Sequence, residues 1–95
     1  MRLSAPIINY FKSSFAQELP QARIYLYGSR TDDKARGGDI DLMVLTPTPV
    51  NKSIFKTIRI GFYKQFGWQK VDLVNFTFED HSPFKQLITT DAQEL

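Results

Sequence analysis

Apolar residues open the chain at helical rather than alternating spacing. Ile7, Ile8, Phe11, Phe15 and Leu19 fall along one side of a helix. Ser4-Ala5-Pro6 supplies its start, with Ser4 at the N-cap and proline tolerated in the first turn, and Leu19-Pro20 its end. The period then shortens: Arg23 to Tyr27 reads as a strand closed by Gly28. The polar stretch from Ser29 to Gly38 predicts a short helix, because Ser29-x-x-Asp32 has the spacing of a capping box. Asp39 to Thr46 forms a second strand, stopped by Pro47-Thr48-Pro49. Asn51 caps a second long helix whose apolar face is Ile54, Phe55, Ile58, Phe62 and Phe66, and Gly67 ends it. Val71, Leu73, Asn75 and Thr77 alternate with Lys70, Asp72, Val74 and Phe76 in a third strand. Ser82-Pro83 opens a last helix, with Phe84, Leu87, Ile88 and Leu95 expected to face inward and Asp91 and Glu94 to face solvent.

The order α-β-(α)-β-α-β-α predicts an α/β (α+β) fold, a small mixed β-sheet with helices packed on it. No internal repeat, low-complexity tract or linker divides the 95 residues, so a single domain over residues 1–95 is expected. Eight Phe, four Tyr and one Trp are enough to fill its core. No apolar run approaches the ~20 residues that span a bilayer, and the opening lacks the pattern of a signal peptide. The absence of cysteine rules out a thiolate zinc site or thiol nucleophile and agrees with a cytoplasmic location. Net charge is +2 and the Lys and Arg residues are scattered, without the basic stripe of a dedicated nucleic-acid binder.

Chemistry concentrates between Tyr25 and Leu45. Asp39 and Asp41 are spaced i and i+2 on a strand, so they share one face roughly 6.6 Å apart. Such a pair can bridge divalent cations. Mg²⁺ takes one or two carboxylates and leaves positions for phosphates and water, and two ions about 3.5–4 Å apart stabilise the attacking and leaving oxygens of phosphoryl transfer. Asp72 is a third carboxylate inside a strand, where aspartate is disfavoured. If the strands are neighbours it can face the first pair, as a further metal ligand or as the base that accepts a hydroxyl proton. Gly28 permits a sharp turn and close approach to phosphate, Ser29 adds a hydroxyl, and the following backbone N–H groups suit an anion. Arg30, Lys34 and Arg36 are near enough in sequence to meet the outer phosphates.

Each piece has a plainer use. Ser29 serves as an N-cap in any fold, Asp-x-Asp recurs by chance in loops, Asp72 fits an exposed edge strand, and the basic residues fit solvated positions. His81 is the single histidine and reads as a surface turn residue. Neither a Gly-x-x-x-x-Gly-Lys loop nor Gly-x-Gly-x-x-Gly occurs, which excludes the Walker and dinucleotide-binding readings; nothing around Ser29 forms a nucleophile elbow. The joint arrangement carries the signal: strand, Gly-Ser, basic loop, Asp-x-Asp strand, later strand aspartate.

That arrangement resembles the minimal nucleotidyltransferases of the DNA polymerase β-like superfamily. Their pattern is a hydrophobic residue and Gly-Ser, about ten residues, Asp-x-Asp on a strand, and a third carboxylate on a later strand. The matching residues are Gly28-Ser29, Asp39-Ile40-Asp41 and Asp72, and the resemblance covers nearly the whole chain. Two departures stand out: Gly38 replaces the serine often found before the first aspartate, and Thr31-Asp32-Asp33 separates Gly-Ser from the basic Lys34-Ala35-Arg36-Gly37.

The resemblance implies a polymerase β palm-like fold and Mg²⁺-dependent transfer of a nucleoside monophosphate, AMP from ATP. The acceptor is a hydroxyl, often a tyrosine, on a helical HEPN-type partner protein within a toxin–antitoxin pair. Asp39, Asp41 and Asp72 then hold two Mg²⁺ ions and carry catalysis, while Gly28, Ser29 and Arg30 bind the nucleotide triphosphate. A palm domain alone needs a substrate surface from another chain, and Tyr63 or Trp68 are candidates for that docking surface as well as for the core. The alternative from a different class is a non-catalytic antitoxin that neutralises its partner by direct complex formation. Nucleotide transfer to RNA or a small molecule is a third and weaker option.

Overall fold

The computed structural model describes residues 3–28 and 39–95, so the helix expected over 29–38 lies outside the described residues. The elements run α1 (Ala5–Glu18), β1 (Arg23–Tyr27), β2 (Ile40–Thr46), α2 (Lys52–Phe66), β3 (Val71–Thr77), α3 (Pro83–Asp91) and β4 (Gln93–Glu94). They form one four-stranded sheet in the order β3-β2-β1-β4. β2 and β3, joined through α2, are parallel, whereas β1 pairs antiparallel with both β2 and β4. The sheet is therefore mixed and carries helices, as the alternation of patterns predicts.

Local chemistry explains the boundaries. Asn51 Oδ1 accepts the Ser53 N–H at 2.9 Å and starts α2, and Gly67 (φ 85°) ends it by donating its N–H to the Tyr63 carbonyl. Ser82 caps α3 by accepting from the Lys85 N–H. At α1 the expectation holds in part. Ser4 is the N-cap residue, but its hydroxyl makes no capping bond; its carbonyl accepts the first helical bond, from the Ile8 N–H.

Strand alternation divides the sheet into two faces. Ile24 and Leu26 of β1, Ile40, Leu42 and Val44 of β2, and Val71 and Leu73 of β3 share one face and pack with Phe11 and Phe15 of α1 and Phe55, Ile58 and Phe62 of α2. Phe11 stacks on Phe62 with centroids 5.3 Å apart, and Phe62 meets Phe66 at 5.0 Å. The Tyr10 hydroxyl ties α1 to α2 by donating to the Ile58 carbonyl at 2.7 Å. Gly61 makes room for it, since a Cβ at that position would collide with the Tyr10 hydroxyl. The opposite face carries Met43, which is fully buried although it lies outside the main cluster. α3 covers part of that face: it packs on β1, buries Ile88, and sets Phe84 against Phe76 at 5.8 Å.

The end of the chain corrects the sequence reading. Of the α3 residues expected inside, only Ile88 is buried; Phe84 is 53% and Leu87 72% exposed. Glu94 and Leu95 are not helical. After Ala92 the backbone becomes extended and adds β4 to the outer edge of β1, with the Leu95 N–H bonded to the Ile24 carbonyl at 3.0 Å. Glu94 receives Arg23 through two hydrogen bonds of 2.8 and 2.9 Å. Unpaired edge N–H and C=O groups on β1 outweigh a further helical turn that would bury little.

Candidate active site

Two strand ends and one strand exit build the site. Asp72 is the second residue of β3, and the parallel register sets it directly beside Asp41, the second residue of β2. Tyr27, the last residue of β1, stands opposite Asp41 on the other side. Tyr27, Asp41 and Asp72 thus form a row across the sheet on the face away from the main core. Asp39, two residues before Asp41, falls on the same side. β1 leaves this row through Gly28, whose φ of 77° favours glycine. A Cβ there would lie 2.7 Å from Asp41 Oδ2, so the carboxylate rests directly over the hinge.

The acids disturb one another. Asp41 has its pKa pushed above the ordinary aspartate value, first by burial, then by the charges of Asp72 and Asp39 and by a hydrogen bond to Asp72, with Lys70 opposing. Tyr27 is pushed up as well, by burial and then by Asp41 and Asp72. Lys70 Nζ lies 3.7 Å from Asp72 Oδ2 and 3.9 Å from Asp39 Oδ2. Its own carbonyl accepts the Ile40 N–H at 2.9 Å, which anchors the start of the β2–β3 ladder.

The structure therefore brings Asp39, Asp41, Asp72 and Gly28 to one corner of the sheet, whereas Ser29 and Arg30, with Lys34, Arg36, Gly37 and Gly38, lie outside the described residues. Two neighbours escaped the sequence reading. Lys70 precedes Asp72 by two positions, the spacing that puts both on one strand face, and Tyr27 precedes Gly28 as the last outward position of its strand. His81 is exposed in the turn before α3, as expected. Trp68 is 78% exposed and stacks on half-buried Tyr63 with centroids 6.3 Å apart.

The donor chemistry suits a hard divalent cation, since carboxylate oxygens are the ligands Mg²⁺ prefers and the charges of Asp72 and Asp39 add to burial in raising Asp41. Among the described residues no three His, Cys, Asp or Glu side chains are already gathered as a ligand set; the acids share a corner without converging on a point. A cavity of about 310 Å³ lined by Val50, Lys52, Phe55, Arg59, Leu73 and Asn75 lies on the core side of β3, away from the acids.

A family model described as the nucleotidyltransferase domain matches residues 8–94. The chain belongs to the nucleotidyltransferase domain family. Solved structures share the fold. A chain of the toxin–antitoxin complex MntA–HpeT, in a tyrosine-to-alanine mutant, superposes with a TM-score of 0.69 at 21% identity, over 93% of this chain and 69% of that one. A mutant of the same complex with two aspartates changed to glutamate gives 0.71 at 18% identity over 90% and 69%. A toxin–antitoxin structure with AMP-PNP gives 0.70 at 20% identity over 90% and 69%. No curated protein matches the sequence. Among the described residues of this nucleotidyltransferase no helix is long and apolar enough to cross a membrane.

Proposed function

We propose that this nucleotidyltransferase transfers AMP from ATP to a hydroxyl of a partner protein, as the antitoxin of a toxin–antitoxin pair with a HEPN-type toxin in the cytoplasm. The observation that carries the reading is the pairing of Asp41 with Asp72 in the β2–β3 register, with Asp39 on the same side and Gly28 beneath. The similar folds in toxin–antitoxin complexes, one of them with AMP-PNP, support the choice of partner and nucleotide.

In this reading Asp39 and Asp41 hold two Mg²⁺ ions with Asp72 as a further ligand. Magnesium, when bound, neutralises the phosphate oxygens on which charge grows. Gly28, Ser29 and Arg30 receive the triphosphate. The acceptor oxygen bonds to the α-phosphorus, the bond to the bridging oxygen of the β-phosphate breaks, and pyrophosphate leaves. Asp72 takes the acceptor's proton on its carboxylate. Exposed Trp68, stacked on half-buried Tyr63, provides an aromatic surface for the partner.

The test incubates the protein with labelled ATP, Mg²⁺ and the protein encoded beside it. Label on that partner, lost in the Asp39→Ala/Asp41→Ala double variant, is the expected result; transfer that survives both changes rejects the mechanism. If the double variant transfers nothing yet still neutralises the partner in cells, the non-catalytic binding module is the correct reading.

A further inference from the structure

We infer that the Lys70 ammonium is a resident counter-ion of the acidic corner, which a divalent cation must displace in order to bind. The inference rests on the proposed metal role of Asp39, Asp41 and Asp72. Strand alternation sends Lys70 and Asp72 to the same face, and the bond from the Ile40 N–H to the Lys70 carbonyl fixes where the side chain departs. Its Nζ then stands 3.7 Å from one acid and 3.9 Å from another, acids that belong to different stretches of backbone.

Those distances exceed the ~2.7–2.9 Å of a formed charge-assisted hydrogen bond. Lys70 therefore acts as a point charge shared between Asp39 and Asp72, not as a locked bridge to either. Its side chain is 57% exposed, and a lysine is a compact charge on a flexible stem, so the ammonium can swing from the corner into water. The same exposure means screening weakens its hold. A single positive charge that spans two of the three carboxylates lowers their repulsion while no metal is present, and it opposes entry of a second cation into the same field.

The experiment measures Mn²⁺ uptake by electron paramagnetic resonance for wild type, Lys70→Met and Lys70→Arg, without nucleotide and then with ATP, alongside thermal melts in chelator. Without nucleotide, Lys70→Met binds Mn²⁺ about tenfold more tightly than wild type, and Lys70→Arg stays close to wild type because its charge remains. In chelator Lys70→Met melts below wild type, and saturating Mn²⁺ closes that gap. Equal or weaker Mn²⁺ binding by Lys70→Met overturns the inference and leaves the metal site standing. Absence of Mn²⁺ uptake in all three proteins, even with ATP, overturns both this inference and the metal-dependent reading beneath it.

Discussion

Asp41 of β2 and Asp72 of β3 are direct register partners in a parallel pair, so two carboxylates far apart in the chain meet side by side at one corner of the sheet. Both strands begin here, which leaves the pair at an open end instead of in the middle of a packed face. Like charges in that position oppose folding and favour whatever cation joins them. Stability and the proposed metal binding therefore pull in different directions at these two residues.

The first consequence is a pH dependence. Asp41 holds its proton above the ordinary value of 3.8 through burial and its acidic neighbours. The native protein therefore binds more protons than the unfolded chain as pH rises past that value, and this group's contribution to stability is lost as pH climbs through the raised pKa. Asp80 acts in the opposite sense. The Ser82 N–H donates to its carboxylate at 2.7 Å and holds its pKa low, so its contribution is lost only as pH falls. Asp41→Asn is expected to flatten the loss of stability that sets in above the ordinary aspartate value of 3.8 and to raise the metal-free Tm at neutral pH. Melts across this range check it, and an unchanged slope would show that Asp41 is not the group responsible.

Asp72→Asn separates chemistry from folding. The substitution keeps the shape, removes a charge from beside Asp41, and takes away the proposed proton acceptor. Transfer to the partner should fall by about 100-fold or more, while metal-free melting stays at or above that of wild type. A variant that folds and keeps its rate would remove Asp72 from the mechanism.

Gly28→Ala tests the hinge. The backbone there is left-handed and the new methyl would press on Asp41 Oδ2. The conformational term alone costs about 1–2 kcal/mol, and the displaced carboxylate should abolish transfer at temperatures where the protein remains folded. Calorimetry and the transfer assay, run on one preparation, check both halves.

Asn75 is a structural counterpart on the core face. Its Nδ2 donates to the Val44 carbonyl at 2.9 Å and to Thr46 Oγ1 at 3.0 Å, and its Oδ1 accepts the Val50 N–H at 3.1 Å. It ties β3 to β2 and to the approach of α2. Asn75→Ala strands these partners at about 2–3 kcal/mol, a fall of roughly 10–20 °C in Tm. The acids lie on the opposite face, so transfer below the melting range should persist.

Trp68→Ala probes the docking surface. An exposed indole adds little to the fold, so stability should stay within about 0.5 kcal/mol. Association with the partner should weaken by at least about 1 kcal/mol if the ring is an anchor. Calorimetric titration of the pair decides this, and unchanged affinity would place the docking surface elsewhere.

Much of this was legible in the sequence because it is local. The Asn51 cap, the stop at Gly67, the Ser82-Pro83 start and the switch from helical to alternating spacing each act within a few residues. The i, i+2 spacing of Asp39 and Asp41 needs only a strand. α3 shows where such reading fails. Phe84 and Leu87 are apolar at helical spacing yet exposed, because the sheet behind α3 accommodates Ile88 and one edge contact with Phe76 but no wider stripe. β4 escaped notice because two polar residues carry no alternation; the unpaired edge of β1 selects them.

Composition and periodicity settle which segments become helices and strands, because caps, turns and spacing act over a few bonds. They also set three aspartates and a glycine into a recognisable order. Which strands lie side by side is another matter. The parallel register that joins Asp41 to Asp72, the arrival of Lys70 between two acids, and the closure of β1 by Gln93 and Glu94 all depend on hydrogen bonds between distant segments, and only packing of α1 and α2 on one face brings those segments within reach.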